Sequence, residues 1–224
     1  MNNLIIYQTP SWLTAFTTGR DSGVEALGLR LEDLALPRQV HSDNIGWMRE
    51  SGRPEETDAV ITDQPGLCVC VKTADCIPVL LYDTRKRIVA AVHAGWRGTV
   101  ARIVQKTIKQ MQPVSPDDIH AIIGPGISLE WFEVGDEVYE AFKAAGFPME
   151  LIAKRFPSKN LPLKGGGEAW HIDLWEANRW LLEEQGVKDI FIEGTCTRSS
   201  LDFYSARRET INTGRNYNGI FLKE

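Results

Sequence analysis

No apolar run in this 224-residue chain approaches the ~18 residues needed to cross a bilayer, so a transmembrane helix is excluded. Met1–Pro10 has no basic segment and only a short apolar stretch, Leu4–Tyr7, so it does not read as a secretory signal. The expectation is a cytoplasmic protein with reduced thiols, whose four cysteines are packing residues or ligands rather than disulfides. Positive charge is in deficit, with 25 Lys and Arg against 30 Asp and Glu. That excludes the basic footprint of sequence-independent nucleic-acid binding, and neither nucleic acid nor membrane is an expected partner. Local basic clusters, Arg85 to Arg87 and Arg207 with Arg208, still allow a small anionic ligand. Internal repeats, low-complexity tracts and a Walker pattern are all missing. Nothing in the pattern specifies an oligomeric state.

What is present is ordinary globular material: 43% hydrophobic and 25% charged residues. The length suits one domain, residues 1–224, with the Pro/Gly-rich stretch from Phe156 to Gly167 as the one candidate boundary and otherwise a loop. Four strand-like runs follow in quick succession: Ala59 to Thr62, Gly66 to Lys72, Ile77 to Tyr82 and Ile88 to His93. The last two are joined by a turn at Asp83 to Arg87. Cys68 and Cys70 share one face of the second run and read as small buried residues. Val100, Ile103, Val104, Ile108 and Met111 repeat at helical spacing, with Thr99 as N-cap and Pro113 as stop. A strand at Ile119 to Ile123 ends in the turn Gly124-Pro125-Gly126, and a helix at Asp136 to Ala145 ends at Gly146. Asp173 to Gln185 predicts a helix with Asp173 and Glu176 as a capping box and Gly186 as terminator. Asp189 to Thr195 predicts a late strand, and the tail reads as irregular apart from Ile220 and Phe221. Helices and strands without regular βαβ alternation predict an α+β fold with mixed or antiparallel sheet.

Chemistry-bearing residues fall beside these runs. Cys76 follows a strand in Thr73-Ala74-Asp75-Cys76, His93 ends the next hairpin in His93-Ala94-Gly95-Trp96-Arg97-Gly98, and His41 stands upstream in Gln39-Val40-His41. Adjacent strands would bring Cys76 and His93 to one sheet edge. Taken alone, each residue also has a packing or hydrogen-bonding reading, and the spacing matches no zinc-finger pattern.

The flanking segments carry more. Besides those three, Thr57-Asp58-Ala59, Ile123-Gly124-Pro125-Gly126-Ile127, Phe132-Glu133-Val134-Gly135, Cys196-Thr197, Phe203-Tyr204-Ser205 and Thr213-Gly214-Arg215 occur in order. Together they resemble the YfiH / laccase-domain family, also called multicopper polyphenol oxidase-like or FAMIN-type purine nucleoside enzymes. Ser42, where the family usually has Gly, and Ala206, where a bulkier residue often precedes the Arg pair, depart from the pattern. The resemblance implies a compact α/β/β/α layered sandwich and a zinc site on His41, Cys76 and His93. It also implies phosphorolysis of purine nucleosides, including methylthioadenosine, and deamination of adenosine, so the expected partners are a nucleoside and phosphate.

Three protein ligands leave a fourth tetrahedral position open, as catalytic zinc requires. Asp75 is a candidate proton carrier, with an alternative role bracing the Gly95–Gly98 turn. Arg97 and then Arg215 are candidates for holding phosphate, and His171 for a proton shuttle or a local hydrogen bond; His120 reads as structural. Trp96 is a candidate stacking partner for a purine. Two rival chemistries share the residues. Two His and one Cys also make the equatorial set of a copper site, but a multicopper laccase needs more than the four histidines here, and no Met adjoins the ligand segments. Alternatively Cys76 acts as a nucleophile with His93 as base, without metal.

Overall fold

The hairpin at the centre of the sequence is also the centre of the structure. In the computed structural model, which describes residues 3–158 and 167–224, Ile77–Asp83 and Ile88–Ala94 pair antiparallel along their full length, Ile77 opposite Ala94 and Asp83 opposite Ile88. The Asp83 carboxylate accepts from the Arg85 and Lys86 amides at 2.8 and 2.7 Å, and so folds the turn. All seven residues of each strand are buried. Strands covered on both faces are apolar without alternation, and these are.

The hairpin anchors a six-stranded sheet ordered Asp189–Ile192, Ile119–Ile123, Ile77–Asp83, Ile88–Ala94, Ala59–Thr62, Ile45–Trp47. Its interior pairings are antiparallel and both edge pairings are parallel. A five-stranded sheet packs on it, ordered Leu4–Ile6, Leu13–Thr18, Asn216–Leu222, Cys68–Thr73, Leu34–Ala35. Val69, Val71 and Ile220 of the smaller sheet meet Leu80, Val89, Ala91 and Ile122 of the larger. Each Val, Leu or Ile among them contributes about 1.5–3 kcal/mol on burial, so a one-residue register slip, which would turn the whole set outward, is strongly disfavoured. The far face of the larger sheet is covered by the helices Ile103–Met111, Asp136–Ala144 and Leu174–Glu183. The far face of the smaller one carries Phe16, Leu34, Cys68 and Cys70, with Leu36 beside them, under Val24, Leu27 and Leu31. There the covering layer is two 3-10 turns, Val24–Leu27 and Leu31–Asp33. The expected mixed α+β layering is therefore present, and Cys68 and Cys70 are packing residues whose thiols burial pushes up, Cys70 to about 12. A third, three-stranded sheet comprises Glu133–Val134, Glu168–Ile172 and Ala153–Pro157.

Several expectations are corrected. The helix expected from Thr99 to Met111 is two helices, Trp96–Val100 and Ile103–Met111, broken where Arg102 takes φ +62°. Thr99 does not cap: its hydroxyl donates back to the Gly95 carbonyl at 3.0 Å inside the first helix. The capping box at Asp173 is half formed. Asp173 accepts from the Glu176 amide at 3.0 Å, while its own amide goes to the Ile152 carbonyl at 2.7 Å, leaving Glu176 to pair with Arg179. The late strand stops at Ile192 because Gly194 turns at φ +79°. The tail is not irregular. Asn216–Leu222 is an inner strand paired on both sides, with Asn218 buried among hydrogen bonds to Thr17, Thr73 and the Val71 carbonyl. Of the loop expected at Phe156 to Gly167, Phe156 and Pro157 are strand, and residues 159–166 lie outside the described residues.

Candidate metal centre

Cys76 immediately precedes one strand of the central hairpin and His93 lies near the end of the other, opposite Pro78. The antiparallel register puts both at the same end of the sheet. His41 arrives from the segment leading into the edge strand Ile45–Trp47. One ligand-type atom from each of the three lies within 4.8 Å of the other two. The His41 and His93 rings meet edge to face, centroids 4.9 Å apart. Close approach at Gly95 permits this: a Cβ there would sit 3.1 Å from His41 Cδ2 and 3.2 Å from Cys76 Sγ. At φ −68° any residue could adopt the Gly95 backbone, so space and not conformation is what demands glycine.

Asp58 organises the set, and residue-by-residue reading missed it. Fully buried, it accepts a hydrogen bond from His93 Nδ1–H at 2.8 Å, which leaves Nε2 facing the centre. It also accepts from the amides of Val40, His41 and Ser42 at 3.2, 3.0 and 2.7 Å. These bonds hold His41 at φ +62°, a left-handed conformation costing a non-glycine residue about 1–3 kcal/mol. Ser42, the departure from the family pattern, adds its hydroxyl to the same carboxylate at 2.7 Å. Burial opposes ionisation of Asp58, yet the hydrogen bonds from His93 and Ser42 prevail and bring its carboxyl down to about 2. Burial likewise raises the Cys76 thiol, but the flanking His93 and His41 rings pull it down to about 6. His93 is raised to about 9 against its own burial, by the Cys76 sulfur and by Asp58. A sulfur drawn toward its thiolate, an imidazole whose Nδ1 is committed to Asp58 and whose Nε2 would give up its proton on ligation, and a second imidazole make a donor set that a divalent transition metal accepts, so the residues fit a metal ion.

A pocket of about 240 Å³ opens over the three side chains, lined also by Gln39, Lys72, Ala74, Ala206, Ile211 and Arg215. Arg215 is thus the one other proposed functional residue that lines it. Its guanidinium is fixed by the Ile211, Thr213 and Gly214 carbonyls, at 2.7 Å for Ile211 and 3.0 Å for Gly214. Ala206 lines the same wall. Asp75 does not line the pocket. Its carboxylate is occupied by the Thr197 hydroxyl at 2.7 Å and the Arg207 amide at 2.6 Å, not by the Gly95–Gly98 turn. Arg97 is exposed and stacks on Trp96 at 4.3 Å, and neither lines the pocket. His171 is buried in the three-stranded sheet, Nδ1 on the Leu129 carbonyl at 2.9 Å, also apart from the lining. His120 pairs with Asp189 at 2.6 Å, a structural placement. The Gly124-Pro125-Gly126 amides are already spent on the Pro78 and Thr195 carbonyls, so this segment is a turn and not an anion loop.

Fold and site together define a sheet-rich α+β protein with a His–Cys–His centre at one end of its sandwich. The chain belongs to the multi-copper polyphenol oxidoreductase laccase family, whose model matches residues 14–223. It is 44% identical to a purine nucleoside phosphorylase of Bacteroides thetaiotaomicron, over 85% of this chain and 74% of that protein. It is 42% identical to adenosine deaminase RL5 of an unknown prokaryotic organism, over 88% and 78%. Among solved structures, YfiH of Bacillus licheniformis superposes with TM-score 0.82 at 26% identity, covering 95% of this chain and 94% of that one. A Neisseria meningitidis protein superposes with TM-score 0.84 at 27% identity, covering 99% and 100%. Among the described residues no helix is long and apolar enough to cross a membrane.

Proposed function

We propose that this chain, residues 1–224 acting as one cytoplasmic unit, is a zinc-dependent purine nucleoside enzyme that phosphorolyses adenosine, inosine, guanosine and methylthioadenosine and deaminates adenosine. The observation that carries the reading is the three-donor centre at the floor of a pocket that also presents Arg215. Relatives named for both activities support it. His41, Cys76 and His93 would hold the metal, which when bound supplies Lewis-acid polarisation. The protein's own contribution is orientation. Asp58 fixes the His93 tautomer, and Gln39 is locked by paired 2.8 Å bonds to the Lys72 backbone. Ile211, 70% exposed at the pocket wall, offers apolar contact to a sugar or base. Asp75 acts as a brace through Thr197 and Arg207 in this reading, not as a proton carrier.

The test is product profiling by mass spectrometry. Zinc-loaded protein with adenosine should form inosine without phosphate, and inosine or methylthioadenosine should release free base only with phosphate. A His93→Ala control should form neither product. Wild-type product no higher than that control ends the nucleoside reading.

The depressed thiol of Cys76 beside His93 also suits a metal-free cysteine nucleophile. Metal content of protein purified without chelator separates the two, since a hydrolase would be active with none. Copper oxidase chemistry has less support, because no methionine lines the pocket to serve as an axial ligand.

A further inference from the structure

The pocket wall carries positive charge that the protein does not neutralise. Lys72 and Arg215 both line it. Among the described residues neither has a carboxylate within ion-pairing distance, although the chain holds 30 acidic residues against 25 basic. Arg53, close enough to disfavour a charge on Lys72, is likewise without an acidic partner there. The strand face explains how Lys72 comes to be placed. Val69 and Val71 turn into the sandwich and Cys68 and Cys70 turn out, so period-two alternation puts Lys72 on the outward side, at the end of the strand nearest the metal centre. The Gln39 carboxamide pairs with both the N–H and the C=O of the Lys72 backbone. Cations gathered without acids raise each other's cost unless an anion joins them, and the half-buried Lys72 ammonium is pushed down first by burial and then by Arg53 and Arg215. Arg215 cannot swing away to relieve this, because three loop carbonyls hold it.

We propose that Lys72, backed by Arg215, forms a phosphate subsite of this pocket, and that its occupant is inorganic phosphate acting as co-substrate. The inference rests on the nucleoside reading above and gives it a division of labour. A phosphate oxygen held by Lys72 forms the bond to ribose C1′ as the C1′–N9 bond breaks. The electron pair of that bond goes to N9, and the proton of hydrogen phosphate ends on the released base. Deamination uses no phosphate, so the two activities should separate at this residue.

The experiment compares wild-type, Lys72→Met and Lys72→Arg zinc-loaded proteins in three measurements. They are inosine phosphorolysis against phosphate concentration, adenosine deamination without phosphate, and the shift in melting temperature on adding inorganic phosphate or adenosine 5′-monophosphate. Losing one charge-assisted contact should raise the KM for phosphate at least about tenfold in Lys72→Met. The ratio of phosphorolysis to deamination should fall by a similar factor, the phosphate-induced melting shift should disappear, and Lys72→Arg should restore all three in part. Equal melting temperatures without phosphate would show that both variants fold. An unchanged KM for phosphate overturns the proposal. So does loss of the nucleotide-induced shift alone, which would assign Lys72 to a phosphate carried by the substrate. If wild-type performs no nucleoside chemistry yet shows a phosphate shift that Lys72→Met lacks, the subsite stands and the nucleoside reading falls.

Discussion

His93 faces the centre through one nitrogen because Asp58 takes the other. The same carboxylate collects three consecutive amides of the segment that delivers His41, so a single side chain positions two of the three donors. Replacing it by Asn leaves one oxygen for five donors and strands several in a buried place. Each stranded donor costs about 1–3 kcal/mol, so Asp58→Asn should lose about 3 kcal/mol in a denaturant titration. Metal affinity should fall about 10–100-fold in a competition titration. The acid dependence has a definite sign. Because folding lowers this carboxyl from 3.8 to about 2, its stabilisation is complete above about pH 5 and drains away as pH falls through about 2. In Asp58→Asn that part of the slope should flatten. A variant with wild-type affinity and slope would remove Asp58 from the account.

The elements that carry the three candidate donors are held close by missing atoms as much as by contacts. Gly95 opens the helix Trp96–Val100, and its absent side chain is where His41 and Cys76 converge. Its φ of −68° suits alanine, so Gly95→Ala tests crowding without backbone strain. The expected result is a folded protein with melting temperature near wild type and metal affinity reduced about tenfold by splayed ligands. Unchanged affinity would mean that the three donors are not drawn together as tightly as their spacing implies. The three candidate donors stand out in sequence because each sits in a distinctive flank: Thr73 to Cys76, His93 to Gly98, Gln39 to His41. Asp58 also stands in a matching segment, Thr57-Asp58-Ala59, but its role does not show there, since an acid before an apolar run has no visible partner until the fold brings residues 40–42 over it. The strand Asn216–Leu222 escaped for a related reason. Asn216, Asn218 and Gly219 break the apolar pattern, and only hydrogen bonds from elements distant in sequence make their burial tolerable. The break at Arg102 was hidden because apolar spacing runs on from Val100 to Ile103 without a gap. Arg102 instead bonds outward to Glu184 and the Ala145 carbonyl.

At the scale of the molecule, the centre and the fold are separable. His41, Cys76 and His93 belong to none of the three apolar clusters that fill the sandwich. The strands that carry or flank them are paired along their backbones whatever the donors hold. A small zinc domain loses its fold with its metal because ligation supplies its folding energy. Here the metal should act only by mass action on a protein already folded. At a free concentration a hundredfold above Kd that is worth about 2.7 kcal/mol, or roughly 5–10 °C for a chain of this size. A chelator should therefore lower the melting temperature by that amount while leaving the far-ultraviolet circular dichroism intact. It should also expose one thiol selectively. Cys76, drawn down to about 6, is largely thiolate at pH 7 and should then alkylate, whereas Cys68 and Cys70, buried and pushed up, should not. Peptide mapping of the alkylated protein with and without chelator reads this directly. Loss of the circular dichroism signal on chelation would make the metal structural. Equal labelling of Cys76 in metal-loaded and chelated protein would remove it from the ligand set.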